Sequence, residues 1–296
     1  MQELHSTGVW TTHRMAAHLE TATRSPSILI RPSKGWVRLD VRELWAYREL
    51  LFFLVWRDVK VRYKQTVFGA AWAILQPFML MVVFSIFLGR LAHVPSEGLP
   101  YPIFAYSALV PWTLFAQSLS GASDSLVGSS NLITKVYFPR LILPMAAAGS
   151  FVIDFVIALG LLVGMMLYYG VHPSAAILWL PALTVLAMLT ALSVGIWLGA
   201  LNVRYRDVRY ALPFLVQLWL FASPVAYSSS LVPKAWRGIY ALNPMAGVVE
   251  GFRWALLGTK TRPGAMIAVS AAATLVIFVG GLAYFRRVER TFADVI

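Results

Sequence analysis

Charge and cysteine are scarce in this sequence. Only 13% of its 296 residues are charged, about half of the roughly 25% typical of soluble domains, whereas 59% are hydrophobic. The absence of cysteine excludes disulfides, thiolate metal sites and cysteine nucleophiles. The low charge indicates that lipid surrounds much of the chain, and it predicts an all-α polytopic membrane protein.

Motifs for catalysis are missing as well. The sequence has no GxxxxGK[ST] phosphate loop and no GxGxxG following a strand, so we expect the chain neither to bind nor to hydrolyse ATP. It has no HExxH or GxSxG motif, and its five histidines are scattered, so we expect no metal site and no hydrolase site. A net charge of +12 suggests nucleic acid for a soluble protein. In a membrane protein the distribution of charge is more informative, and no nucleic-acid partner is expected.

Apolar segments of spanning length are plentiful. Six of them cover approximately residues 70–90, 102–122, 142–168, 175–201, 210–228 and 265–285. Residues 1–41 lack a strong periodicity and predict a flexible cytoplasmic arm. Residues 42–68 predict an amphipathic interfacial helix, because apolar and basic side chains fall on different faces and LLFFLVW is too short to span. Residues 69–296 then form the transmembrane domain.

The distribution of basic residues orients the predicted spans. Six spans place both termini on one side, and the segments on that side hold 19 of the 25 lysines and arginines. Cytoplasmic loops carry the excess of positive charge. Both termini are therefore predicted to be cytoplasmic.

The stretch between the last two spans, residues 229–263, is too apolar for a simple loop. It is interrupted by Asn243-Pro244 and followed by Gly258 after a second apolar run. This pattern predicts two short helices joined at Asn-Pro. We expect them to form a re-entrant pair in the outer face of the bundle.

The loop SSNLITKVYFPRLILP, from Ser129 to Pro144, combines helix-forming signals with exposed apolar residues. Ser129 or Ser130 can cap a short helix, and Pro139 is expected to end it. A short apolar helix has little reason to persist in water unless something covers it. The loop is therefore either a docking site for a cytoplasmic partner or a helix lying on the membrane surface.

Asp154, in FVIDFVIALG, is the one clear acidic residue within the predicted spans. A buried carboxylate must be neutralised, paired or hydrated. Asp154 either lines a polar translocation path or pairs with a neighbouring arginine or helix near the cytoplasmic end of its span. A single carboxylate gives little support to an ion-coupled carrier.

Four segments in order resemble the membrane subunits of ABC-2 type exporters, particularly the polysaccharide export permeases. They are RELLFFLVWRDVKVRYKQTVFGAAWAILQP, NLITKVYFPRLILP, RYRDVRYALPFLVQLWLFASPVAY and LNPMAGVVEGFRWALLG. The likeness covers roughly residues 42–296. Four segments in sequence are far more specific than one short motif.

The resemblance implies an exporter made of two copies of this chain and two separate ABC ATPase subunits, in the inner membrane of a bacterium. The substrate would be a polyprenyl-linked polysaccharide such as O-antigen. The chain itself would hold no cofactor, because ATP and Mg²⁺ would bind to the ATPase. The coupling helix that inserts into the ATPase would comprise Leu132, Ile133, Lys135, Val136, Tyr137, Phe138 and Arg140.

The resemblance also places basic residues of the amphipathic helix near the entry of a lipid pyrophosphate. These residues either donate hydrogen bonds to that anion or are ordinary solvated charges on the cytoplasmic side. They are Arg57, Lys60, Arg62 and Lys64. In RYRD, Asp207 can pair locally with Arg204 or Arg206, as part of a tight structural turn.

Aromatic and amide side chains in the spans are candidates for a passage, because sugar rings stack on aromatics and hydroxyls bond to amides. Each of them can equally pack inside the bundle or belong to the aromatic belt at the membrane interface. The candidates are Gln76, Phe78, Tyr106, Trp112, Phe115, Asp154, Gln217, Trp219, Phe221 and Tyr227. Glu250 and Arg253 either hold an outer gate, together with Asn243, or form an ordinary surface pair.

Two other functions fit parts of the pattern. An exporter of the same fold can carry a drug or a simple lipid, through a narrow seam in place of a large aromatic passage. A membrane-embedded enzyme acting on lipid-linked sugars would need paired polar residues in the bilayer or a substantial catalytic loop, whereas this chain offers Asp154 alone.

Overall fold

The computed structural model describes residues 41–64, 69–173, 175–259, 263–289 and 292. Within these ranges the chain is helical and contains no strand, which agrees with the predicted all-α class. The predicted arm over residues 1–41 lies outside the described residues except for Val41. Residues 65–68, the end of the predicted interfacial helix, also lie outside them.

The first half of the described chain contains seven α-helices, and the third continues as a π-helix over Ser85–Leu91. They are α1 (Val41–Ala46), α2 (Arg48–Lys64), α3 (Ala71–Phe84), α4 (Tyr101–Gly128), α5 (Ser130–Lys135), α6 (Ile142–Gly149) and α7 (Val152–Tyr168).

The second half contains five further α-helices, preceded or joined by short 3₁₀ turns at Ala175–Trp179, Ser229–Leu231 and Lys234–Trp236. They are α8 (Leu180–Arg204), α9 (Val208–Ala222), α10 (Arg237–Ala241), α11 (Pro244–Leu257) and α12 (Gly264–Val288).

Helix α4 is the centre of the fold. It packs against α3, α6, α7, α8, α9 and α11. Its buried face includes serines that donate to backbone carbonyls, such as Ser118 to Ala148 at 3.2 Å. Others, such as Ser107, donate to carbonyls of α4 itself. A helix sheltered by its neighbours in this way tolerates more polar residues than a helix that faces lipid.

Small residues allow α4 and α8 to approach closely. A Cβ added to Gly199 would lie 3.2 Å from the carbonyl oxygen of Ala122, and one added to Gly195 would lie 2.7 Å from the Ala122 Cβ. Glycine at such positions lets helix backbones meet and gain dispersion contacts in lipid. The α4–α8 contact therefore forms the rigid axis of the bundle.

Among the residues that the structure describes, four helical segments are long and apolar enough to cross a bilayer: Ala71–Leu91, Ile142–Tyr168, Ala175–Arg204 and Gly264–Val288. The two other predicted spans correspond to α4, which is long enough but less apolar, and to α9, which is apolar but has only 15 residues. Helix α9 ends at Ala222, before the predicted end at residue 228, because the chain becomes extended at Ser223 ahead of Pro224.

The two ends of α4 define the two ends of the bundle. With a rise of about 1.5 Å per residue, this helix is about 42 Å long. Helix α5 follows its last residue, whereas Arg253 of α11 reaches the Phe104 carbonyl in its first turn. We call these regions the α5 end and the α11 end.

Helix α2 presents apolar side chains on two faces. Leu54 and Val59 are buried, and the helix packs against α6 at the α5 end. Phe52, Phe53 and Trp56 are exposed. The predicted polar face thus shares the helix surface with aromatic residues, an arrangement suited to a membrane interface.

Candidate functional site

The loop of residues 129–140, at the α5 end, contains a shorter helix than the sequence predicts. Ser129 precedes α5, but its side chain accepts no capping hydrogen bond. The helix ends at Lys135, and Val136 is extended at φ −131° and ψ 135°. Pro139 therefore does not end the helix, because the chain has already left the helical conformation.

Burial divides the apolar residues of the 129–140 loop into anchors and exposed side chains. Ile133 and Phe138 are buried in a cluster that includes Leu54 of α2. Val136 and Tyr137 are 52% and 73% exposed. The sequence predicts that Leu132, Ile133, Val136 and Tyr137 are all displayed, and this prediction was wrong for Ile133. The extended segment after Lys135 turns Phe138 back into the bundle.

The exposed part of the loop surrounds a shallow cavity of about 250 Å³. Its lining runs from Ile133 to Phe138 and includes Arg140. The guanidinium of Arg140 donates to the backbone carbonyl of Glu289 and lies 5.8 Å from the ring centroid of Phe292. Arg140 thereby ties the loop to the C-terminal end of α12.

A second cluster joins α2 to the start of α7. Arg62 donates to the Asp154 carboxylate at 2.9 Å and to the Ser150 hydroxyl at 2.8 Å, and its guanidinium lies 3.8 Å from the ring centroid of Phe151. The Tyr63 hydroxyl donates to the other Asp154 oxygen. Burial, and then the hydrogen bond to Asp154, raises the pKa of Tyr63 to about 12, so the phenol remains a donor at neutral pH.

This cluster matches the second interpretation of Asp154, a carboxylate paired with a neighbouring arginine. Its side chain is almost fully buried, while that of Arg62 is partly exposed. The charge is satisfied within the chain, as a buried carboxylate requires. Arg62 is therefore engaged by protein and is a poor candidate donor to a lipid headgroup.

The other predicted headgroup donors differ in their surroundings. Arg57 forms an ion pair with Asp58 at 2.8 Å. Lys60 is exposed and lies 5.4 Å from the ring centroid of Trp56. Lys64 is also exposed. The two lysines are thus the members of the set best placed to meet an anion at the surface.

Arg253 is the centre of a buried polar network at the α11 end. Its guanidinium donates to the carbonyls of Val225 at 2.6 Å and Tyr227 at 3.0 Å, and it lies 3.7 Å from the ring centroid of Phe104. Glu250 is 3.5 Å away and accepts from the Ser229 amide at 2.8 Å. Both charged side chains are fully buried, so the alternative of an ordinary surface pair was wrong.

Asn243 links the end of α9 to the start of α11. Its side-chain oxygen accepts from the Met245 amide at 3.1 Å, as an N-cap does, and from the Trp219 indole at 2.9 Å. Its side-chain amide donates to the Ala222 carbonyl and to the Ser223 hydroxyl. The predicted Asn-Pro junction is therefore a hydrogen-bonded joint.

The residues predicted to line a passage fall into two groups. Four are exposed on α3 and α9: Gln76, Phe78, Gln217 and Phe221. Four are buried: Tyr106, Trp112, Phe115 and Asp154. Trp219 and Tyr227 are half-buried. The buried aromatics pack within the chain, as Phe115 does edge-on against Trp219 at 4.9 Å, so their placement fits core packing better than a passage.

In the turn between α8 and α9, Asp207 does not pair with Arg204 or Arg206. No ion pair of Asp207 occurs within the part of the chain that the structure describes. Arg204 instead lies over the Tyr205 ring at 5.4 Å from its centroid. The expected local pair was wrong, because all of these side chains are exposed and an exposed pair gains little.

Sequence reasoning missed several members of the two buried networks. Tyr63 lies near the end of α2, and nothing in the sequence indicates a partner for its hydroxyl in α7. Glu97, whose carboxylate accepts from the Ser228 hydroxyl, lies in a loop where φ is 57°. A glutamate with a positive φ in a tight turn is the kind of signal that marks a specific role.

Known proteins match most of the length of this chain. The ABC-2 type transporter family matches residues 49–257. The O-antigen export system permease protein RfbA of Myxococcus xanthus is 29% identical over 257 residues, which cover 86% of this chain and 98% of that protein.

Two further relatives extend over similar lengths. The O-antigen export system permease protein RfbA of Klebsiella pneumoniae is 26% identical over 84% of this chain and 95% of its own. The polysialic acid transport protein KpsM of Escherichia coli is 26% identical over 79% of this chain and 91% of its own.

Proposed function

The chain belongs to the ABC-2 type transporter family, and we propose that it is the permease subunit of an ATP-driven exporter of lipid-linked polysaccharide, such as O-antigen, across the cytoplasmic membrane. The relatives named for O-antigen export and for polysialic acid transport align over nearly their whole lengths. A polysaccharide is the substrate class that these names share.

A six-span topology with both termini in the cytoplasm accounts for the helices. The spans are α3, α4, α6 with α7, α8, α9 and α12. Helix α4 needs less hydrophobicity than the other spans because its neighbours shelter it. The α5 end, with Arg140, Arg206 and Arg209, is the cytoplasmic end by the excess of positive charge. Helices α10 and α11 then form the re-entrant pair on the outer side.

A separate ABC ATPase supplies the energy by docking on the 129–140 loop. The observation that carries this part of the proposal is the contrast between the buried anchors Ile133 and Phe138 and the exposed Val136 and Tyr137. Anchors fix the position of the loop, and an exposed apolar tip beside a shallow cavity offers a partner a defined contact.

ATP and Mg²⁺ bind to the ATPase, and this chain holds no cofactor and catalyses no reaction of its own. Coupling requires that the ATP-bound ATPase favours one conformation of the permease over the other.

A second copy of the chain completes the passage. The exposed faces of α3 and α9 carry Gln76, Phe78, Gln217 and Phe221, which combine amides for sugar hydroxyls with aromatic surfaces for sugar rings. Two such faces turned toward each other enclose a passage in which each repeat unit of the polysaccharide binds weakly, so that the polymer can slide. The Arg253 network and Asn243 hold the outer gate.

Deletion of the gene, with complementation, tests this function. We expect the deletion strain to accumulate lipid-linked polysaccharide at the cytoplasmic face of the membrane and to lose the polymer from its surface, and the wild-type gene to reverse both. Accumulation of no glycan, or turnover of a lipid-linked sugar by the purified chain without an ATPase, would contradict the proposal. Co-purification with the ATPase, followed by analysis of bound glycolipid, identifies the polymer.

A further inference from the structure

A second cavity at the α5 end has a different character from that of the 129–140 loop. Its volume is about 340 Å³, within the range of roughly 300–1,000 Å³ common for small-molecule sites. It lies where the ends of α4 and α8 meet the start of α9. The lining comprises Val127, Ser130, Asn202, Val203, Arg206, Arg209 and Tyr210.

The charge of this cavity is positive. Arg206 and Arg209 are exposed, and neither side chain forms an ion pair or hydrogen bond with any residue that the structure describes. The lining includes no carboxylate. The hydroxyls of Ser130 and Tyr210 add neutral donors.

One wall of the cavity is rigid. Asn202 is buried, and its amide donates to the Ser123 carbonyl and to the Asp124 carboxylate, both at 3.2 Å. These bonds fix the end of α8 against α4. Arg209 lies in the first turn of α9, where the helix dipole also favours an anion.

The cavity lies at the depth of lipid headgroups. The apolar segment Ala175–Arg204 is one of the helices long enough to span a bilayer, and Arg206 follows its last residue closely. Basic pockets between transmembrane helices at the cytoplasmic surface favour phosphate headgroups. Guanidinium groups match phosphate oxygens with two parallel hydrogen bonds.

From these features we propose that the cavity between α4, α8 and α9 binds a phosphate or diphosphate group at the membrane surface, held by Arg206 and Arg209. The site deepens the proposed function, on which its cytoplasmic location rests, since a lipid-linked polysaccharide carries such a group. The same chemistry is offered by a free anion, and the experiment separates the two sources.

The test uses the full-length chain in nanodiscs of phosphatidylcholine, which has no net charge. In one arm, inorganic pyrophosphate is titrated by calorimetry. In the other, the nanodiscs contain a few per cent of a polyprenyl diphosphate or of the matching polyprenol, and bound lipid is counted by native mass spectrometry. Binding of the diphosphate lipid alone identifies a headgroup site, and binding of pyrophosphate identifies a site for the free anion as well.

Variants of the lining decide whether the cavity is responsible for the binding. We expect Arg206→Gln with Arg209→Gln to weaken binding at least about tenfold, since two charge-assisted hydrogen-bonding groups are lost. Arg204→Gln removes a charge from the same turn without altering the cavity lining, and we expect less than about a twofold change because the Arg204 guanidinium lies over the Tyr205 ring and is not part of the lining. All three positions are exposed, so the variants should fold, which gel filtration checks.

Three results would overturn the site: no binding in either arm, equal weakening by Arg204→Gln, or unchanged binding in the double variant. Because binding is measured on the permease alone, a functioning site in a strain that accumulates no lipid-linked glycan would reject the exporter function and leave the site standing.

Discussion

Arg62 and Arg253 each use a planar guanidinium to satisfy several acceptors at once. Arg62 reaches a carboxylate and a serine hydroxyl, whereas Arg253 reaches backbone carbonyls where the chain leaves its helical conformation after α9. A guanidinium is suited to this because its donors are fixed in one plane and its charge persists when buried. The two residues hold the α5 end and the α11 end of the bundle, respectively.

The ion pair of Arg62 and Asp154 yields the first prediction. Arg62→Met leaves a buried carboxylate without its cation, and we expect a loss of about 1–3 kcal/mol in the free energy of unfolding. Asp154→Asn in the same chain removes the orphaned charge and keeps an acceptor for Tyr63, so stability should return. Denaturant titration in detergent measures both.

Export by the double variant then separates the two interpretations of Asp154. If the carboxylate acts only through the ion pair, the double variant should export polymer nearly as well as the wild type. A stable double variant that does not export would instead assign Asp154 to the translocation path.

Arg253→Lys replaces a fork of donors by a single ammonium. We expect a loss of about 2–4 kcal/mol, because a single ammonium cannot reach the carbonyls of both Val225 and Tyr227, and Val225 is fully buried. Arg237→Lys is the control, since Arg237 also donates to two carbonyls but is exposed. Thermal unfolding should separate the two variants, and equal effects would contradict the role of the buried network.

At the scale of helices and loops, the 129–140 loop is anchored in the bundle by buried side chains, whereas Val136 and Tyr137 at its tip are exposed. Val136→Asp with Tyr137→Asp should abolish ATPase stimulation and export while membrane insertion survives, because two carboxylates replace the apolar contact. Asn131→Asp adds a carboxylate to an exposed polar position of the loop that does not line the cavity and should cost much less. Export by the first variant would reject docking at this tip.

Helix α11 lies against α12 at a position that accepts only glycine. A Cβ added to Gly247 would lie 2.5 Å from the Ser270 hydroxyl and 2.8 Å from the Met266 carbonyl oxygen. We expect Gly247→Ala to cost about 1–3 kcal/mol through overpacking. Gly238→Ala in α10 meets nothing within 4 Å and should be neutral or slightly stabilising, since alanine favours a helix. Stability measured by denaturant titration compares the pair.

At the scale of the molecule, hydropathy located the helices because each apolar run must form its hydrogen bonds internally in lipid. The Asn243 joint was also predictable, since an asparagine before proline is a helix-start signal. The burial of Tyr106, Phe115 and Phe138 was not predictable. In a chain where apolar residues occur on every face, hydrophobicity alone cannot tell a lipid-facing side chain from one in the core.

The Arg62–Asp154 and Arg253 networks could not be predicted from the sequence, for a related reason. Their partners lie far apart in sequence, as Arg62 and Asp154 do, or are backbone carbonyls, which every residue possesses. Periodicity reports which face a residue occupies, and it carries no information about which distant element packs there. The exposed tip of the 129–140 loop was visible because its apolar residues conflict with their position in a loop.

The orientation of the bundle is testable because the chain contains no cysteine. Thr134→Cys marks the α5 end and Ser230→Cys the α11 end, both at exposed positions. If positive charge keeps the α5 end inside, a membrane-impermeant maleimide should label Ser230→Cys in intact cells and Thr134→Cys only in inverted vesicles. Ser118→Cys, fully buried in α4, should label in neither until the protein is denatured. Labelling of Thr134→Cys from outside would place the loop away from any cytoplasmic ATPase, and the coupling proposal would fail with it.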